Sequence, residues 1–262
     1  MADTPKSFGR KAIRPTLKPR ELMENTPELA GVWRADVISL FPDTFPGVLG
    51  ASLTGKGLKD GLWQLHTHDL RQYGEGKHRK VDDTPAGGGA GLVLRPDILG
   101  KAISDVLRRR GPSPILYMSP RGRPFTQAHA AHLAKGPGPV ILCGRFEGVD
   151  QRVLDHFGIT EVSMGDYVLS GGEIAAQAMI DATVRLIPGV LGNGESTVDE
   201  SFSNGLLEYP QYTRPAVWEG RKIPDVVTAG DHSALEKWRR EQSEALTQER
   251  RPDLWAKVSG KS

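Results

Sequence analysis

Few residues in this sequence are able to do chemistry. Asp199-Glu200 lies in a polar, turn-rich stretch, and Glu147 lies within Cys143-Gly144-Arg145-Phe146-Glu147-Gly148. A carboxylate at either place can take a proton from a substrate or hold its hydroxylated or cationic part. By composition alone, Asp199-Glu200 reads first as a solvated stretch. Asp181 and Arg185 stand four apart in a run of helical spacing, where an intrahelical ion pair is the simple account. His66 and His68 share one face of a strand-like run, but no third ligand follows at metal-site spacing, so strand histidines explain them better. The single cysteine, Cys143, excludes an internal disulfide and any cysteine-based zinc cluster.

Glycines supply the second signal. Three strand-like runs end in the loops Tyr117-Met118-Ser119-Pro120-Arg121-Gly122, Cys143 to Gly148, and Gly165-Asp166-Tyr167-Val168-Leu169-Ser170-Gly171-Gly172. Ser170 and Glu173 have the spacing of a capping box at a helix start, and the two glycines between them bare the backbone amides of the first turn. Phosphate is the default ligand of such a terminus. However, Pro85-Ala86-Gly87-Gly88-Gly89-Ala90-Gly91 has no following Lys-Ser/Thr, and no G-x-G-x-x-G follows the first strand. A nucleoside without phosphates fits better, with Met164 and Leu169 beside its ring. His78-Arg79-Lys80 and Asp82-Asp83 precede the glycine run, which reads equally as a loop closing over substrate and as a flexible turn.

The elements that must position these residues alternate. Apolar strand-like runs (RADVISLF, WQLHTHDL, PILYMSP, PVILCG, ITEVSMGDYVL) are interleaved with helical ones (RPDILGKAISDVLRRRG, TQAHAAHLAKG, VDQRVLDHFG, and the helix after SGGE). This order predicts an α/β fold, a parallel sheet covered on both faces, with the three loops on its ligand-binding edge. With 262 residues, 38% of them hydrophobic and 25% charged, the chain can build a core. A net charge of +2 is compatible with nucleic acid without pointing to it. No window is apolar enough for a membrane span, and no signal peptide begins the chain. Residues 1–32 read as a mobile basic extension, 33–190 as the main domain, 191–205 as an interdomain linker and 206–262 as a cationic C-terminal domain. In the last of these, Ser233 to Glu236 has capping-box spacing.

ISLFP, HRKVDD-x-P-x-GGG-x-G, Y-x-SP-x-G, CGR-[FY]-EG, GDYVLSGGE, R-x-IPGVLG and GLLEYPQYTRP occur here in that order. Together they resemble the bacterial tRNA (guanine-N1)-methyltransferases of the TrmD type, across about residues 33 to 255. The resemblance implies a SPOUT methyltransferase: a parallel sheet with helices on both faces, a deep trefoil knot and a small, mostly helical C-terminal domain that binds tRNA. A knot departs from the rule that chains do not thread. It also implies a cytoplasmic homodimer with its active site at the subunit interface. Its reaction is methylation of N1 of guanosine 37 by S-adenosyl-L-methionine, in tRNAs that also carry guanosine at 36, with Mg²⁺ dependence.

Carried over by position, the cofactor contacts are Tyr117, Met118, Ser119, Pro120, Gly144, Phe146, Glu147, Ser163, Met164, Gly165, Tyr167, Leu169, Gly171 and Gly172. Gly91, Asp82, His78 and Ser201 fall on the substrate side. Arg185 becomes the residue that stabilises the guanine, with Asp181 orienting it. The base is where this sequence departs: relatives commonly read Asp-Ser-Phe, and this chain reads Asp199-Glu200-Ser201-Phe202. Ungapped matching puts Glu200 in the base position, with Asp199 as the alternative. Ala86 and Phe146 stand where tyrosines are common, and Ala175 where a proline is.

Overall fold

The computed structural model describes residues 31–192 and 200–260. The proposed extension up to residue 30, the linker residues 193–199 and the candidate base Asp199 lie outside them. The chain runs through β1 (Trp33–Ser39), α1 (Ser52–Lys59), β2 (Trp63–Asp69), β3 (Asp82–Asp83), β4 (Val93–Leu94), α2 (Pro96–Arg110) and β5 (Ile115–Pro124). It continues through α3 (Gln127–Ala134), β6 (Val140–Cys143), α4 (Gln151–Phe157), β7 (Thr160–Ser163) and α5 (Glu173–Val184). Beyond residue 200 come β8 (Val217–Trp218), β9 (Arg221–Lys222), α6 (Asp225–Thr228), α7 (His232–Arg250) and α8 (Pro252–Val258).

β1, β2, β5, β6 and β7 form a five-stranded sheet in the order β2-β1-β6-β5-β7, and every pairing is parallel. Successive side chains on a strand face opposite ways, so a doubly covered strand must be apolar on both sides. β1 shows this: Val37 joins Trp63, Ile141 and the α5 residues Ala176, Met179 and Ile180, while Ile38 joins Leu142 and the α2 residues Ile98, Leu99 and Ile103. The α/β expectation holds, with helices on both faces.

Two local expectations fail. The run ITEVSMGDYVL yields only β7, because Gly165 takes φ +148° and Ser163 Oγ both accepts from the Gly165 amide (3.2 Å) and donates to its carbonyl (3.1 Å), turning the chain out of the sheet. Neither capping box forms. Gly172 is the N-cap of α5 without a side-chain bond, and α7 is capped by Asp231, which accepts from Ala234 N.

One charge sits inside the core. Asp36, on β1, is fully buried and is held by Arg34, by Arg110 at the end of α2 and by His68 Nε2 at 2.7 Å. His68 is therefore occupied with the core carboxylate through Nε2. Burial acts to raise the Asp36 pKa, but hydrogen bonds from His68 and Arg34 and the Arg34 and Arg110 charges outweigh it and hold the carboxyl well below the usual carboxylate range. A depressed pKa gives stability that is fully present above the ordinary value of 3.8 and is lost as the pH falls through the folded-state value. Asp36→Asn should therefore cost about 3–5 kcal/mol at pH 7, as expected for one partner removed from a buried ionic network. Urea unfolding should show the gap between parent and variant holding at neutral pH and closing below pH 3.8. A gap that widens in acid would refute the assignment.

Candidate active site

The middle of β5, the end of β6 and the loop after β7 enclose a cavity of about 340 Å³. Every residue carried over as a cofactor contact, from Tyr117 to Gly172, lines it. It lies at the carboxyl edge of a parallel sheet, as expected for such a fold. Half-exposed Tyr167 and Leu169 sit on the loop after β7, while Met118 and Ser163 close the buried end. Phe146, half exposed, takes φ +58°, a conformation that L side chains rarely adopt. Among the described residues, Glu147 is the only carboxylate that lines the cavity.

Both glycines of Ser170-Gly171-Gly172-Glu173 are required, but the space they leave is filled by protein. A Cβ on Gly172 would stand 2.8 Å from Cys143 Cα and 3.1 Å from Gly144 N, and the Gly172 amide donates to Gly144 O at 3.0 Å. A Cβ on Gly171 would stand 2.2 Å from Arg145 Nε. The start of α5 is thus pressed onto the end of β6, and any ligand meets it through backbone. Glu173 is buried and spans the seam: Ser39 Oγ donates to its Oε1 at 2.6 Å, and Arg145 Nη2 lies 2.9 Å from its Oε2. Burial, and secondarily the Glu173 charge, push the Cys143 thiol well above its ordinary value, so it is inert.

A second polar group lies at the other end of α5. Arg185 Nη1 donates to Glu200 Oε2 at 2.6 Å and Nη2 donates to Oε1, a two-armed fork. The hydrogen bond from Arg185 lowers the Glu200 pKa, and that bond to Glu200 raises that of Arg185, so both are charged at neutral pH. Asp181 accepts from Thr54 Oγ1 at 3.0 Å and acts on Arg185 through its charge, the smallest of the influences on that guanidinium. A helix of 12 residues is about 18 Å long, which separates the fork from the cavity in the same chain.

The substrate-side residues are dispersed. Gly91 abuts Glu147, whose Oε1 would be 2.4 Å from a Cβ there. Ser201 Oγ accepts from Glu208 N at 3.0 Å, next to the fork. His78 lies on an exposed turn and Asp82 pairs with Leu94 across β3 and β4; neither lines the cavity. Among the described residues no three His, Cys, Asp or Glu side chains gather to hold a metal, and no helix is long and apolar enough to cross a membrane. Arg145 was given no role by its motif. Its signal was the missing side chain at Gly171, legible only once the two loops are seen to touch.

The family described as tRNA (Guanine-1)-methyltransferase TrmD matches residues 33–257. A tRNA (guanine-N(1)-)-methyltransferase of Roseobacter denitrificans is 69% identical over 235 residues, covering 89% of this chain and 98% of that protein. One from Ruegeria pomeroyi is 66% identical, covering 89% and 96%, and one from Nitrobacter winogradskyi is 63% identical, covering 86% and 93%.

The contact at Gly172 gives a direct test. Gly172→Ala drives a methyl group into backbone, and overpacking of this kind costs about 1–3 kcal/mol. Urea unfolding should show that loss, and stability equal to the parent would mean that the seam is looser than described.

Proposed function

The chain belongs to the TrmD family of tRNA (guanine-1)-methyltransferases, and from that premise we propose that it methylates N1 of guanosine 37 in tRNAs carrying guanosine at 36 and 37. Methylation of tRNA guanine at N1 is the activity named for its relatives. The observation that carries the reading to this chain is the Arg185–Glu200 fork. It offers a donor beside an acceptor, and the guanine edge presents O6, an acceptor, beside N1–H, a donor. Adenine presents the opposite order, an amino donor beside an acceptor ring nitrogen.

Guanine N1 carries a proton, so its electron pair is free for attack only when that proton leaves. In this reading Glu200 accepts the N1 proton while Arg185 holds the negative charge that develops on O6. Paired in the fork, Glu200 is a weak base; it strengthens when O6 draws the guanidinium away. Asp199, the alternative base, lies outside the described residues.

The cavity suits S-adenosyl-L-methionine: backbone and apolar side chains edge it beside serines and the cations Arg121 and Arg145, which can meet a carboxylate, with Glu147 for a hydroxylated or cationic part. When bound there, this cofactor supplies an electrophilic sulfonium methyl. Tyr117 to Pro120, Gly144, Phe146, Glu147, Ser163 to Gly165, Tyr167, Leu169, Gly171 and Gly172 would hold it. No step is assigned to Mg²⁺, which the resemblance implies.

The separation along α5 supports a homodimer in which the fork of one subunit serves the cavity of the other. Exposed apolar residues favour such an interface: Val48 (70% exposed), Val168 (83%) and Ile174 (67%). Gln177, one turn after Ile174, bonds Thr44 O at 2.8 Å and so brings α5 against the segment that carries Val48. The family's knot, its cytoplasmic location and a tRNA-gripping domain at 206–262 belong to the same proposal. Within 206–262, Arg240 is paired with Glu244, while Arg239 lies over the Tyr209 ring.

A methyl-transfer assay decides the matter. A tRNA transcript with guanosines at 36 and 37 should be methylated, and replacing guanosine 37 by adenosine should abolish the reaction; transfer to both would refute the reading. Glu200→Gln should lower kcat by about 10²–10⁴-fold. Arg185→Ala should lower it by about 10²–10³-fold while binding of the methyl donor stays within about twofold of the parent. Full activity in Glu200→Gln would move the base role to Asp199.

A further inference from the structure

Arg145 and Glu173 have no part in proton transfer, yet they make the joint on which the cavity rests. We propose that Arg145, oriented by Glu173, is a positioning residue that locks the cavity's two loop walls together and thereby sets affinity for the methyl donor. The inference rests on the functional reading above.

Four contacts converge on this one guanidinium. Its face lies over the Phe41 ring, 4.4 Å from the centroid, just beyond β1. Nη2 is 2.9 Å from Glu173 Oε2, an ion contact whose angle falls short of a hydrogen bond. Nη1 donates to Ser170 O at 3.3 Å, and the edge carrying Nε passes so close to Gly171 that no side chain fits between them. The loop from Gly165 to Gly172 forms one wall of the cavity and has no regular structure. It is joined to the loop after β6 by the Gly172–Gly144 backbone bond and by Arg145.

The opposite wall is the turn that carries Arg145 itself. Arg145 O accepts from Gly148 N at 3.1 Å, closing the turn that presents Phe146 and Glu147 to the cavity. Glu173 is itself fixed from below by Ser39 Oγ. The chain of contacts therefore runs from β1 through Ser39 and Glu173 to Arg145, then to both cavity walls. An arginine suits the position because its planar fork can stack and bond several partners at once, which a lysine ammonium cannot do.

A double-substitution cycle tests the inference, with S-adenosylhomocysteine as probe in calorimetric titrations of the full chain below its unfolding transition. Arg145→Gln and Glu173→Gln should each weaken binding at least tenfold. The double variant should be no weaker than the worse single one, because residues acting through one joint give non-additive losses. In tRNA methylation the KM for the methyl donor should rise while kcat and the KM for tRNA change by less than threefold. Arg145→Lys, which keeps the charge and the fold, should still lose about fivefold in affinity. It carries the test if a glutamine variant fails to fold. Unchanged affinity, or losses that simply add, overturns the proposal. A parent protein that binds no probe would instead count against the functional reading.

Discussion

The start of α5 rests directly on the end of β6. Gly172 lies against Cys143 Cα, and its amide bonds the Gly144 carbonyl. That backbone-to-backbone contact fixes where the loop after β7 must return and how wide the cavity can be. It also fixes the direction in which α5 leaves the sheet edge. Buried apolar area would tolerate a small shift of a helix on a sheet, since the hydrophobic effect has no direction. Contact at this range has no such slack, and the placement of Arg185 follows from it.

Much of this was legible in the sequence. Val37-Ile38 and Ile141-Leu142 are apolar on both faces, which is the mark of a parallel strand covered on each side, and the order of strands and helices is as written. The cavity lining was legible too, because glycines at strand ends mark the ligand edge of such a sheet and the motifs fix the positions. What could not be read was the use of each side chain. Glu173 has the spacing of a capping residue, yet a buried serine of β1 and an arginine of the loop after β6 hold it instead. Asp181 has the spacing to pair with Arg185, yet Glu200 offers both oxygens to the fork and Thr54 takes Asp181. Local spacing lists candidate partners; long-range geometry chooses among them.

Two carboxylates, Asp36 and Glu200, are held in contrasting ways. Asp36 is sealed in the core among several donors, where its charge is permanent and its work is structural. Glu200 is about a quarter exposed and bound to one arginine, a pairing that a ligand with the right edge can divide. A pair that still meets solvent is easier to divide than one sealed in the core, because water can take up the charges it releases. A carboxylate that must change partners during turnover belongs in the second setting.

The length of α5 also bears on mass action. If the fork of one subunit completes the cavity of another, a lone subunit contains both halves of the site and neither is usable. The catalytic unit is then created by association, and its amount depends on the square of the free subunit concentration. Dilution would silence the protein without unfolding it, and expression level would set the number of working sites more steeply than it sets the number of chains.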